Sequence, residues 1–295
     1  MRKLIKAFVI LTAFAALAAA QQPNIPINTT PTQPSIRPEA NRKTGVTVGA
    51  EDKSSPKIGL RRPTKKEMKA VEPSEEDKTK YAEILKMSDT GLFKLVSDIN
   101  CDANEKTDKR CDDLTMPGHG AMYSFRLGRH VGYYFCDIKF KENAIFAAGD
   151  SNLGFFVKAG DVPLDKVSRE TLGAAYVYDF APPTELEDIL KNFKAFQQGV
   201  ENSDFTYKSA VLAAENTTII FRLIAYRKEI TGERQQQLRD QNEEMREQGS
   251  EIDKRKDIIV AFRVVRKDSD GSITILWREL QKKDAPVFRV KQPAK

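Results

Sequence analysis

Apolar and polar side chains alternate along nine short segments between residues 123 and 280. Alternation with a period of two residues is typical of strands that bury one face of a sheet. The clearest pair covers residues 258–266 and 272–280, and the turn-forming run Asp268-Ser269-Asp270-Gly271 joins the two as a hairpin. The other seven segments cover residues 123–127, 134–140, 144–148, 154–158, 174–180, 206–213 and 217–226.

Two stretches carry helix-start signals. Ser74 is followed three residues later by Asp77, and Thr184 is followed three residues later by Glu187. The second helix is expected to end at Gly199. Nine strands with two or three helices predict an α+β fold, in which helices pack on a predominantly antiparallel β-sheet or partly open barrel.

The first 73 residues have a different character. Residues 1–20 combine a basic start, an apolar run too short to span a bilayer and a small-residue end, which predicts a signal peptide cleaved after Ala20. Residues 21–73 hold eight of the 14 prolines and no aromatic residue, so we expect a disordered linker. We expect residues 74–295 to form one domain. We also expect the protein to be secreted, either periplasmic or extracellular, and to have no transmembrane span.

The positive charge of the chain belongs mainly to the linker. Residues 21–75 carry ten Lys and Arg against six acids, whereas residues 76–295 carry 35 against 36. This balance disfavours a nucleic-acid partner, because nucleic-acid modules concentrate basic residues on their fold. The basic end of the linker is either simply solvated or drawn to polyanions or lipid headgroups of the envelope.

A second charged segment covers residues 231–257 and separates two predicted strands. It has only one large apolar residue per heptad, which is too few for a coiled-coil seam. We interpret it as a solvated helical excursion, with a partner-docking arm as the alternative.

The cysteines suit an exported protein. Cys101 and Cys111 flank a polar loop, whereas Cys136 lies on the apolar face of a predicted strand. We therefore predict a Cys101–Cys111 disulfide and a buried free thiol at Cys136.

Catalytic and metal motifs are weak. Residues 145–152 resemble the nucleophile block of GDSL-type hydrolases, with Ser151 as nucleophile, but both histidines, His119 and His130, precede it in the chain. The Asp150-Ser151-Asn152 run is better explained as a turn. The two histidines match no metal-ligand spacing, so we predict no metal and no cofactor.

Three arginines interrupt apolar strands on the face opposite the most hydrophobic stripe: Arg222, Arg263 and Arg278. If their strands are neighbours, they form a candidate ligand face for a carboxylate or phosphate. Ion pairs with Glu279 or with acids of the 231–257 segment are the alternative.

Three stretches resemble a family of uncharacterised secreted bacterial proteins: residues 89–95, residues 160–164, and residues 260–266 with Asp270-Gly271. The resemblance implies export and a compact domain but no activity. The leading hypothesis is therefore a non-enzymatic binding or structural module of the cell envelope, whose partner is an envelope polymer or another secreted protein. The alternatives are a secreted hydrolase with an unrecognised site and a polyanion-binding protein that acts through its linker.

Overall fold

A computed structural model describes residues 64–98, 117–228 and 255–288. The helices are α1 (Lys65–Ala70), α2 (Glu75–Lys80), α3 (Ala82–Leu85), α4 (Ala174–Asp179) and α5 (Leu186–Gln198). The first seven strands are β1 (Thr90–Leu95), β2 (Met122–Ser124), β3 (Arg129–His130), β4 (Ile138–Lys141), β5 (Ala144–Ala147), β6 (Asn152–Gly160) and β7 (Val200–Asn202). The others are β8 (Phe205–Tyr207), β9 (Ala210–Leu212), β10 (Thr218–Ala225), β11 (Arg227–Lys228), β12 (Lys256–Lys267), β13 (Ile273–Asp284) and β14 (Val287–Phe288).

Two five-stranded antiparallel sheets organise these strands. The central sheet has the order β1-β13-β12-β10-β6, and the outer sheet has the order β3-β2-β4-β5-β9. Two short pairs, β7 with β8 and β11 with β14, stand apart. The sheets do not close into one barrel, and the predicted α+β, mainly antiparallel class is confirmed.

Strand β10 shows how the layers stack, because every one of its residues is buried. Ile219, Phe221 and Leu223 belong to the apolar core between the two sheets. Ile220 and Ile224 belong to a second core, in which α4 and α5 cover the other face of the central sheet. The apolar run of β10 is thus buried on both faces, in the middle layer of three.

Backbone hydrogen bonds connect the two sheets at both sides. Phe156 of β6 exchanges two backbone hydrogen bonds with Lys208, of 2.7 and 3.1 Å, next to β9. Beyond β1, the Val96 amide donates to the Gly120 carbonyl (3.1 Å), and the Asp98 amide donates to the Phe140 carbonyl of β4 (2.9 Å). Backbone bonds therefore link the two sheets at these points.

The N-terminal helices are attached to the central sheet by an ion pair. The Arg266 guanidinium of β12 donates to both carboxylate oxygens of Asp77, at 2.7 and 3.1 Å, and to Glu76 at 2.7 Å. Ser74 caps α2 as predicted, because its hydroxyl accepts from the Asp77 amide. Helix α1 lies within the segment predicted as a linker, where Thr64 and Glu67 form a capping box and Val71 is buried.

Several predicted elements differ from the observed ones. Residues 174–180 were predicted as a strand but contain helix α4, and residues 206–213 form two short strands. The α5 helix lies where predicted, but its N-cap is Glu185 and the Thr184 capping box does not form. Strand β1 was not predicted at all.

Several predictions concern residues outside the described ranges: the signal peptide, most of the linker, the Cys101–Cys111 disulfide and nearly all of the 231–257 segment. None of the helices in the described ranges has both the length and the apolar character that crossing a bilayer requires.

Candidate functional site

The three arginines of the predicted ligand face lie on adjacent strands. Arg222 is in β10, Arg263 in β12 and Arg278 in β13, which are neighbours in the central sheet. By strand alternation all three share the face that carries the helices. The structure therefore brings them to one face, but it gives each a different environment.

Arg222 is fully buried and bonded on all sides. Its Nε and Nη2 atoms donate to the two carboxylate oxygens of Asp257, at 3.0 and 2.9 Å. Its Nη1 atom donates to the carbonyls of Val177 and Phe180, both at 2.7 Å, at the C-terminal end of α4. Cations at a helix C-terminus satisfy carbonyls that lack a partner within the helix. Arg222 therefore fastens α4 to the central sheet.

Asp257 matches Arg222 in burial, since neither side chain has any exposed surface. The Lys283 ammonium, on the adjacent strand β13, approaches the same carboxylate at 3.4 Å. Asp257 ends the charged segment 231–257 and was not among the predicted site residues. The available signal was its position as the acid directly before the apolar run of β12.

Arg263 has partners at the surface. It donates to the Asp161 carboxylate at 2.5 Å and to the Thr218 hydroxyl at 3.2 Å. Its side chain is 16 % exposed and that of Asp161 is 80 % exposed. Its guanidinium is therefore partly accessible but already paired with an acid.

Arg278 differs from both, because no carboxylate of the described residues lies within ion-pair distance of it. Its one protein contact at hydrogen-bond distance is a long one, 3.4 Å from Nη1 to the carbonyl of Asp165. Tyr178 of α4 is close by: burial raises the pKa of its hydroxyl, and the Arg278 charge opposes that rise. Both side chains are half-buried. Of the predicted ligand face, Arg278 thus keeps hydrogen-bonding capacity for another molecule, and Tyr178 lies beside it.

His130 lies in an aromatic cluster between the sheets. The Phe93 and Tyr123 rings stack with centroids 3.6 Å apart, and the His130 ring meets both edge-on, at 6.2 and 5.5 Å. Its Nδ1 atom is 3.0 Å from the Met122 carbonyl, which fixes the proton on Nδ1. Burial lowers the pKa of His130 to about 4. His130 is therefore a neutral core residue.

The block that resembles a hydrolase nucleophile is a turn. Ser151 has a φ of 53° and is 3 % exposed, and its hydroxyl donates to Asp150 at 3.1 Å. The Asn152 amide donates to the carbonyls of Cys136 and Ala148, at 3.1 and 2.7 Å. These bonds hold the start of β6 against the outer sheet.

The remaining predicted residues have structural positions. Cys136 is free and fully buried, as predicted, and burial raises the pKa of its thiol. His119 lies in a tight turn with a φ of 50°. In the described part of the chain, no group of three His, Cys, Asp or Glu residues could hold a metal ion.

A surface groove of about 650 Å³ lies beside the β12–β13 turn and is lined by Ala213, Ala214, Glu215, Lys267, Asp268 and Ser269. The Glu215 carboxylate accepts from the Lys267 amide, and Asp268 pairs with Lys94 at 2.7 Å. The two acidic residues that line the groove, Glu215 and Asp268, therefore already have protein partners.

Comparison with protein-family models, with curated proteins and with solved structures gave no match.

Proposed function

We propose that this chain is an exported, non-enzymatic binding or structural module, a rigid domain carried on an extended N-terminal segment. The observation that supports this proposal is the use of Arg222 and Asp257. A buried charged pair in an enzyme is often part of its chemistry. Here the pair is shut off from solvent, and its remaining donors fasten α4 to the sheet.

His130 and Cys136 support the same proposal. A general base needs a pKa near the working pH and access to its substrate. The pKa of His130 is lowered to about 4, and the pKa of the Cys136 thiol is raised by burial. His130 is therefore a weak base and Cys136 stays a thiol at neutral pH, and both groups lie beneath the surface.

The ligand contact that we propose is Arg278 with Tyr178. A guanidinium with no acid beside it binds a carboxylate or phosphate by charge-assisted hydrogen bonds, and the neighbouring phenol adds an apolar face and a hydroxyl. Envelope polymers carry such anionic groups. A polymer strand along the α4 side of the domain would contact both residues.

Isothermal titration calorimetry with soluble peptidoglycan fragments and with polyphosphate tests this contact. Arg278→Gln is expected to weaken binding about ten-fold or more, because a hydrogen bond to a charged group contributes roughly 1.5–3 kcal/mol. Arg169→Gln is the matched control, since the Arg169 charge also acts on Tyr178, but Arg169 pairs with Asp179 at 2.6 Å. Equal binding by the two variants would refute the Arg278 contact.

The non-enzymatic part of the proposal has its own test. The purified protein is expected to hydrolyse none of a set of generic ester, phosphate and glycoside substrates. Turnover that disappears in Ser151→Ala or in His130→Ala would overturn it in favour of a secreted hydrolase. Export is tested separately, by the mass of the secreted protein, which should begin at Gln21.

A further inference from the structure

Helix α1 exposes its lysines, whereas its one glutamate is held in the capping box. Its sequence, Lys65-Lys66-Glu67-Met68-Lys69-Ala70, has one acid among three lysines. The Glu67 carboxylate accepts hydrogen bonds from the Thr64 amide and hydroxyl, at 2.7 and 2.9 Å, and Glu67 is 8 % exposed. The capping box thus takes the only acid of the helix out of contact with solvent.

The three lysines share one exposed side of this helix. At about 100° per residue, Lys65, Lys66 and Lys69 fall within about 100° of the circumference, and Glu67 lies on the opposite side. All three are exposed, and no acid of the described residues forms an ion pair with any of them. Glu72, the next acid along the chain, pairs with Lys78 instead. The Lys69 charge helps to lower the pKa of Glu72, but this single acid does not balance three lysines, so the lysine side keeps a net positive charge.

An apolar side chain borders this charged side. Met68 is 42 % exposed, although large apolar residues are mostly buried in this fold. Its helical position is about 60° from that of Lys65. Lysines beside an exposed apolar side chain are typical of helices that lie at a membrane surface, where the ammonium groups contact headgroups and the apolar group enters the interface.

We propose that α1 binds the surface of an anionic phospholipid membrane through Lys65, Lys66, Lys69 and Met68. The charge of the lysines complements phosphate headgroups, and Met68 favours a lipid surface over a soluble polyanion, which offers no apolar interior. This attachment is independent of any ligand at Arg278, so either proposal can fail alone.

Vesicle co-sedimentation with the purified protein tests this attachment. Binding is expected to vesicles in which a third of the phosphatidylcholine is replaced by phosphatidylglycerol, and to fall steeply as salt screens the charges. Replacing the three lysines by glutamine should lower the partition coefficient on the order of 100-fold, because each basic residue near an anionic surface contributes about one factor of five.

Two further variants make the test specific. K191Q/K194Q/K267Q removes three exposed lysines elsewhere and should bind as the unmodified protein does. Met68→Ser should weaken binding roughly five-fold while leaving the salt dependence unchanged. Equal losses in the two triple variants would overturn the proposal. So would a Met68→Ser protein that binds fully, or binding to polyphosphate without binding to vesicles. All seven substituted residues are exposed, so thermal melting should confirm an unchanged fold.

Discussion

The Arg222–Asp257 pair allows a quantitative test of how the helical layer is held. Removing one partner of a buried pair leaves the other charge without compensation, at a cost of about 3–5 kcal/mol. We expect Asp257→Asn and Arg222→Met each to lower the free energy of unfolding by about 4 kcal/mol. The double variant removes both charges and should lose only about 5 kcal/mol, which gives a coupling energy of about 3 kcal/mol.

About 2 kcal/mol of the expected cost of the double variant comes from lost contacts with α4. Without Arg222, the carbonyls of Val177 and Phe180 lose a donor, and each lost hydrogen bond costs about 1 kcal/mol. The Lys283 ammonium, 3.4 Å from Asp257 and 47 % exposed, should offset part of the loss in Arg222→Met but not in Asp257→Asn. The two single changes should therefore cost about the same, because the carbonyl bonds that Arg222→Met loses balance the Lys283 contact that it keeps.

Urea denaturation measures these values, with fluorescence of the single tryptophan, Trp277, as the probe. The Arg169–Asp179 pair is the control, because its side chains are 58 % and 54 % exposed and its coupling energy should be below about 1 kcal/mol. A coupling energy for Arg222 and Asp257 no larger than that of the control pair would refute the reasoning. Melting temperatures give the same comparison if a single variant is too unstable for urea titration.

Three other predictions follow from single positions. In Gly91→Ala the added methyl would lie 2.4 Å from Trp277 Nε1, so we expect a loss of about 1–3 kcal/mol and a shifted Trp277 emission. Glu142 and Asn143, with φ of 50° and 66°, form the β4–β5 turn, and replacing them with Asn and Gly should raise the melting temperature through a gain of about 1 kcal/mol. The pKa of His130 falls from 6.5 to about 4 on folding, so the unfolded chain binds more protons between these pH values and stability falls as the pH is lowered. Denaturation at pH 7.5 and pH 5 should show this slope, and His130→Gln should reduce it.

The sheet was largely predictable because its strands are long and strongly patterned. Strands β10, β12 and β13 lie where apolar alternation predicts them, and the turn between β12 and β13 has the expected residues. A buried strand needs an apolar side chain at every second position, so its sequence alone carries the signal. Strand β1, with glycine at its second residue, gives a weaker pattern.

The helical layer was harder to predict. Tyr176, Tyr178 and Phe180 alternate as in a strand, yet residues 174–179 form a helix. A helix of six residues has little intrinsic stability, and tertiary contacts decide its conformation. The Tyr207 hydroxyl donates to the Gly173 carbonyl before the helix, and Arg222 donates to the carbonyls at its end. Neither partner is adjacent in sequence, so local pattern could not reveal them.

The sequence predicted which arginines share one face of the sheet, but not which side chains surround each of them. Strand alternation placed Arg222, Arg263 and Arg278 on one face, and the order of the strands makes them neighbours. Their environments differ because two of them have acidic partners. Arg222 pairs with Asp257 on the neighbouring strand β12, and Arg263 pairs with Asp161, which follows β6. Pairing register over such sequence distances depends on the whole fold.

The position of β13 in the central sheet also determines when this domain can form. Residue 90 of β1 pairs with residue 278 of β13, and β13 separates β1 from β12. Contacts between residues so far apart in sequence form late, because a long loop must close before they contribute. During synthesis, the first strand has no place in the sheet until the ribosome has released almost the entire polypeptide. For most of its translation the polypeptide consequently lacks the strand that joins its first strand to the rest of the sheet.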